Sequence, residues 1–312
     1  MEDNLFMESI YSKNYDLFRK TKKGDLHVHG ILGADRKQFN SEFNKNLPAF
    51  EIAKNFYFLK KFIANNIVDI SSIKSNYIKL IELTIKTAIS DGISIIALSI
   101  DYRSVAFQFN SNLDEFVDSL SVLKELYINN IDIRFDLGIS RENFKKEDEI
   151  TIKKLIDSRL FSGMDLYGDE LSNPIGKFKK VYRYARKHKL ELKAHVGEFG
   201  SAKEIYSAIK KLHLNTIQHG ITIISNKKVM KYAKKHNVKF NVCPISNIKM
   251  GIIKNISQHP IRKMFDYGLN VTINTDDQLI FENSIFDEYI ILFENKVFSP
   301  EELNIIRKNS LY

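Results

Sequence analysis

At 312 residues the chain is long enough to bury one large core, and 44% hydrophobic with 27% charged residues excludes a disordered or fibrous protein. The excess of 47 Lys and Arg over 38 Asp and Glu, a net charge of +9, lies on helix-like stretches such as Lys177–Lys180 and Lys227–Lys228. No basic run is interleaved with stacking aromatics, so nucleic acid is not an expected partner. The single cysteine, Cys243, excludes an intrachain disulfide and a thiolate zinc site. No apolar run approaches the roughly 18 residues of a membrane span, and the opening Met-Glu-Asp-Asn-Leu-Phe has no basic region followed by an apolar one. A cytoplasmic location without membrane attachment is the expectation.

In chain order, Asp25–His29 predicts the first strand. Between Gly30 and Ser90 lie two helix-like stretches, Phe50–Asn65 and Ile73–Ile89. They exceed one crossover helix and predict a helical insertion after strand one, covering one end of the fold. From there β-like runs alternate with amphipathic stretches. The runs are Ile93–Ile100, Ile131–Gly138, Gly163–Tyr167, Leu190–Val196, Thr216–His219, Val238–Cys243 and Asn270–Thr275. The stretches between them are Leu113–Ile128, Glu147–Asp157, Pro174–His188, Ala202–Leu212, Lys227–His236 and Ile261–Tyr267. Strand–helix alternation is the mark of parallel βαβ units, and eight units over about 250 residues is the size of a (β/α)₈ TIM barrel. Gly/Pro-rich linkers and repeats are absent, so residues 1–312 read as one domain.

Four clusters of His, Asp and Glu stand at predicted strand ends: His27 with His29, His195 with Glu198, His219, and Asp276-Asp277. In a strand, residues two apart share a face, so His27 and His29 project together. A barrel builds its active site at the carboxyl ends of its strands, and strands one and eight meet on closure. Three imidazoles and a carboxylate, with a place left for water, suit a hydrolytic zinc. Cys243 reads as a buried packing residue. His188, His213, His236 and His259 read as surface histidines in Lys-rich or helix-edge contexts.

The motifs Gly24-Asp25-Leu26-His27-Val28-His29, Asp165-Leu166-Tyr167-Gly168-Asp169-Glu170, His195-Val196-Gly197-Glu198, Gln218-His219-Gly220-Ile221, Cys243-Pro244-Ile245-Ser246-Asn247 and Asn274-Thr275-Asp276-Asp277 occur in a fixed order. On these residues the chain resembles the adenosine/AMP deaminases of the amidohydrolase superfamily. The resemblance implies one Zn²⁺ per chain held by His27, His29, His195 and Asp276, with Asp276 also catalytic and His29 also substrate-binding. It implies that Glu198 hydrogen-bonds purine N1 and protonates it, and that His219 positions and stabilises the zinc-bound hydroxide. Asp277 would meet purine N7, and the Gly168 N–H would donate to N3. The chemistry is consistent with these residue types: zinc lowers the pKa of its water to about 7, and a buried carboxylic acid can serve as proton donor.

The pattern departs from the family after His29. Ile31 stands where adenosine deaminases carry the Asp that holds the ribose 5′-hydroxyl. Arg36-Lys37 follow at about the place of a Gln-Lys pair in AMP deaminases, and could bind a 5′-phosphate. Ala97-Leu98-Ser99 replaces a Glu-x-Arg on strand two. The expected activity is zinc-dependent deamination of adenosine or a related 6-aminopurine nucleoside. The alternatives are deamination of AMP or another 5′-modified or N6-substituted adenine nucleotide, another amidohydrolase reaction, or purine binding without turnover. The expected partner is a small purine nucleoside or nucleotide; the sequence does not indicate an oligomeric state.

Overall fold

The computed structural model describes residues 1–312 except Lys54, which falls inside the predicted Phe50–Asn65 stretch and so lies outside the described residues. Eight parallel strands follow one another in spatial order: β1 (Gly24–His29), β2 (Ile95–Asp101), β3 (Asp132–Ser140), β4 (Gly163–Tyr167), β5 (Glu191–His195), β6 (Thr216–Gln218), β7 (Lys239–Val242) and β8 (Asn270–Ile273). Helices flank the strands, and the whole is the expected (β/α)₈ barrel. Neighbouring strands pair in parallel from β1 to β8, with one register shift between Asp25 and Val28 where β1 meets β2. The return from β8 to β1 is made differently. Asn274 Oδ1 accepts the Leu26 N–H at 2.8 Å, and the Asp276 N–H donates to the His27 carbonyl at 3.0 Å. A single bridge, Val28 to Asp276, completes the ring.

The main apolar core lies between the strands and the surrounding helices, where Ile96, Leu98, Leu137, Leu166 and Ile217 meet residues such as Ile81, Ile85, Leu120 and Leu155. The barrel interior is more polar. Asn241 joins Gln218, Thr272 and the Leu26 carbonyl, and Asn274 bonds Thr272. Beneath them Lys193, 2% exposed, is bracketed by Asp136 at 2.8 Å and Glu191 at 3.2 Å. These polar groups are matched to one another, as burial requires.

The insertion is smaller than the sequence pattern predicts. Lys74–Ser90 is not part of it: this 17-residue helix buries Tyr77, Ile81 and Ile85 against the barrel and is the ordinary crossover from β1 to β2. Helical periodicity is the same in a lid helix and a crossover helix, so only packing separates them. What remains above the barrel is Arg36–Phe43, Phe56–Asn66 and Val68–Ser71, with its own apolar cluster of Leu32, Phe39, Phe50, Leu59, Ile67 and Phe281. The opposite end is covered by Glu2–Tyr11, whose Phe6 packs on Phe18 and Tyr289, and by Pro300–Asn309. Arg307 and Lys308 tie these two helices together through Asp3. No described helix is long and apolar enough to cross a membrane.

Replacing Lys193 by Met leaves the Asp136 carboxylate buried and uncompensated. We expect a loss of about 3–5 kcal/mol in urea unfolding, most of it recovered in the double variant Lys193→Met/Asp136→Leu. A single variant within about 1 kcal/mol of wild type would contradict the pairing.

Candidate active site

Alternation along β1 turns Asp25, His27 and His29 to the inside of the barrel. Asp25 is spent on structure, taking the Thr275 hydroxyl and N–H just before Asp276. His27 and His29 stand above it. Asp276 then brings its Oδ1 to 3.5 Å from His27 Nε2 and 3.6 Å from His29 Nε2. His195, the last residue of β5, places Nε2 2.9 Å from His27 Nε2. Two imidazole nitrogens cannot rest that close with both protonated. Asp165 on β4 faces the Nδ1 side of His195 at 3.3 Å, so the lone pair of Nε2 is turned inward. Ligand atoms of a tetrahedral zinc lie about 3.3 Å apart for bonds near 2.0–2.1 Å. The observed 2.9–3.6 Å spacings fit such a cation, which His27, His29, His195 and Asp276 would hold.

A second grouping of donors, His27 with His219 and Cys243, is also close together. Cys243 Sγ, however, faces His27 Nδ1 at 3.3 Å, the opposite edge of the ring. Burial pushes its thiol well above the ordinary range. It is a packing partner of the ring, as its sequence context suggests.

His219 and Asp276 both carry left-handed backbones, at φ 60° and 64°. Such a conformation costs a non-glycine residue about 1–2 kcal/mol. Here it turns both side chains towards the same point, a concentration of strain common at functional sites. His219 Nε2 lies 3.6 Å from Glu198 Oε2 and 3.7 Å from Asp276 Oδ2. Ser246 donates to Asp276 Oδ2 at 2.7 Å and fixes that carboxylate. Glu198 is held by its loop: the carboxylate of Glu170 takes the backbone N–H groups of Gly197, Glu198, Phe199 and Gly200. Arg141 in turn clamps the Glu170 and His195 carbonyls.

Burial pushes Glu198 well above the carboxylate range, and repulsion from Asp276 and Glu170 adds to it; the Asn247 hydrogen bond opposes. Asp277 is raised for the same reasons, first by burial, then by Asp276 and Glu198. Its Oδ1 is buried with no protein partner while the residue lines the cavity. Burial above all holds His27, His29 and His219 below the ordinary imidazole range, hence neutral.

These groups open into one cavity of about 610 Å³, lined by His29, Gly168, His195, Glu198, His219, Asp276 and Asp277, with His27 beneath its floor. The insertion roofs it with Phe56, Leu59, Ile63 and Val68. Gly168 sits at φ 92°, which only glycine adopts readily, and exposes its backbone to the space. Arg36 and Lys37 are brought elsewhere. The Arg36 guanidinium is consumed by the carbonyls of Pro48, Leu279 and Ile280 and by Glu282, tying the insertion to the strand-eight loop. Lys37 is exposed on the first turn of the following helix, away from the cavity lining. His259 also departs from expectation: it is 2% exposed and bonded to Asn247. His188, His213 and His236 are exposed. Asp165, Glu170, Arg141 and Asn247 act here without having been assigned a role from sequence. Asp165, in the middle of β4, Glu170 and Asn247 stand within the motifs that carry the family resemblance, which was their signal; Arg141 had none.

An eight-stranded parallel barrel with three imidazoles and an aspartate converging at its carboxyl rim defines an amidohydrolase-type enzyme. Comparison with known proteins agrees. Residues 43–312 match the adenosine deaminase family. A putative adenosine/adenine deaminase of Treponema pallidum is 29% identical over 270 residues, 86% of this chain and 90% of that protein. Adenosine deaminase of Plasmodium gallinaceum is 28% identical over 328 residues, 96% of this chain and 89% of that one. The crystal structure of an adenine deaminase from Arthrobacter aurescens superposes with a TM-score of 0.79 at 22% identity, covering 93% of this chain and 92% of that chain. The chain belongs to the adenosine deaminase family and is a hydrolase acting on a C–N bond.

Elemental analysis of the purified protein is expected to find one zinc-type divalent ion per chain. Asp165→Asn, which keeps the shape but weakens the grip on His195, should lower metal affinity about 10–100-fold. Unchanged affinity would remove Asp165 from this role.

Proposed function

We propose that this enzyme deaminates a 6-aminopurine nucleoside, adenosine by preference, to the inosine-type product and ammonia, with one zinc ion held by His27, His29, His195 and Asp276. The observation that carries the reading is the juxtaposition of that donor set with a buried, proton-retaining Glu198 at the floor of a purine-sized cavity. Zinc supplies Lewis acidity, making a water molecule acidic enough to attack at neutral pH. The chain's own residues do the rest. Glu198, protonated, gives its proton to purine N1 and makes C6 electrophilic; the carboxylate left behind takes one proton from the attacking oxygen and hands it to the departing amine, and the oxygen's second proton restores the acid. His219, neutral, donates from Nε2 to the attacking oxygen. Asp277, with its free Oδ1, meets N7, and the Gly168 N–H meets N3. Apolar walls from the insertion exclude competing water.

Charge favours a neutral nucleoside over a nucleotide. Among the described residues lining the cavity, the cations are Lys60 and Arg103. Each is already bound to a carboxylate, Lys60 to Glu142 at 2.7 Å and Arg103 to Asp101. A 5′-phosphate would have to displace one of these. Ile31 offers no acceptor to a 5′-hydroxyl, so the sugar end is recognised by shape rather than by charge.

Steady-state assays of adenosine, 2′-deoxyadenosine, adenine and AMP on the zinc-loaded enzyme test this. Adenosine should exceed AMP in kcat/KM by at least about tenfold, the consequence of roughly 1.4 kcal/mol. No turnover of any of the four, with zinc bound, would overturn the deaminase reading. Glu198→Gln should lower kcat by roughly 10²–10⁴-fold while retaining the metal. Because the acid form of Glu198 is the active one and its pKa is raised, wild-type activity should persist through neutrality and fall on the alkaline side.

A further inference from the structure

His259 is buried, lies outside the metal cage and makes two hydrogen bonds that together determine where its proton sits. It follows the short turn Ile256–Gln258 and precedes the helix Ile261–Tyr267, on the connection between β7 and β8. The backbone N–H of Ile261 donates to His259 Nδ1 at 3.1 Å. A ring nitrogen that accepts carries no proton, so the neutral ring is protonated on Nε2. Burial, which pushes this histidine down to about 3, keeps it neutral. Nε2 lies 3.2 Å from Asn247 Oδ1 and donates to it.

That bond orients the Asn247 amide. With Oδ1 turned to His259, the two hydrogens of Nδ2 face the site, one towards Glu198 Oε1 at 3.4 Å and one towards His219 Nδ1 at 3.3 Å. His219 Nδ1 must therefore accept, which places its proton on Nε2. That nitrogen is the one lying 3.6 Å from Glu198 Oε2 and 3.7 Å from Asp276 Oδ2, over the cavity floor. With the opposite tautomer, two N–H groups would confront each other across 3.3 Å, and His219 would present a lone pair to the cavity instead of a donor.

We propose that His259 and Asn247 are positioning residues: a chain of hydrogen bonds starting at the Ile261 N–H sets the tautomer of His219 and the direction of Glu198, without either residue touching substrate. The proposal rests on the deaminase reading only in assigning work to Glu198 and His219; the tautomer itself is independent of the substrate. Asn247 sends one hydrogen to each of these two side chains, so one amide fixes both the acid and the oxygen-orienting donor. His219 acts in consequence as a hydrogen-bond donor and not as the base that takes the proton from water.

The test uses the zinc-loaded full chain with ¹⁵N-labelled histidine, whose ring nitrogen shifts separate Nδ1–H from Nε2–H. The His219 signals are identified by their loss in His219→Gln. Wild type should show His219 as the neutral Nε2–H form. Asn247→Asp, which can only accept, should move the proton to Nδ1 and lower kcat by about 100-fold with one zinc retained. His259→Phe should lower kcat by about 10–100-fold with KM within about twofold. His259→Gln, which restores an N–H donor, should recover most of that loss. A wild-type His219 protonated on Nδ1, or an unchanged tautomer in Asn247→Asp, would overturn the proposal. So would unaltered kcat in His259→Phe. If His259→Phe fails to fold, the wild-type and Asn247→Asp shifts decide. If the wild type turns over no purine, the deaminase reading fails and the shifts still decide the tautomer.

Discussion

The structure depends on how the barrel closes. Seven strand pairs are parallel ladders, but β8 reaches β1 through the Asn274 amide, the Thr275 bonds to Asp25 and one backbone bond from Asp276 to the His27 carbonyl. The same residue that completes the ring holds its carboxylate against His27 and His29. Closure of the barrel and the proposed metal cage thus share one residue. The left-handed backbone of Asp276 would be an unfavourable local choice in isolation. It persists because the Thr275–Asp25 bonds on one side and the Ser246 hydroxyl on the other leave the chain no other path.

The second organising feature is that several working side chains are each held by another. His195 leans on Asp165, the Glu198 loop on Glu170, Glu170 on Arg141, and Asp276 on Ser246. In a low-dielectric interior such chains set protonation as well as position, because an unmatched donor or acceptor is costly there. They make it possible for carboxyl groups only a few ångströms apart to take the different roles proposed for them: Asp276 as a ligand, Glu198 as an acid, and Asp277 as a hydrogen-bonding partner for the base.

Much of this was legible in the sequence because barrels place chemistry at strand ends. His27, His29, His195, His219 and Asp276 each terminate or follow an apolar run, and period-two alternation gave the shared face of the first pair. What sequence could not separate were residues whose local pattern fits two fates. Lys74–Ser90 has the periodicity of any amphipathic helix, and only its burial against the barrel makes it a crossover. Arg36 next to Lys37 looks like an anion site, yet its five N–H donors are absorbed by the carbonyls of Pro48 and of Leu279 and Ile280 in the short helix after β8, and by Glu282. His259, beside a proline and a basic helix start, looks like a surface residue; its burial depends on how the β7–β8 connection folds over Asn247. Helices near the chain's end carried a clear signal in the Ser284/Asp287 and Ser299/Glu302 capping boxes, which reading for strands passes over.

Side chains from β1, β5 and the end of β8 are proposed to share one metal ion. A crystal structure collected at the zinc absorption edge tests it most directly. A single anomalous peak is expected about 2.0–2.2 Å from the Nε2 atoms of His27, His29 and His195 and from an oxygen of Asp276. A peak on the Cys243 side of His27, or none in a protein that deaminates purines, would contradict it.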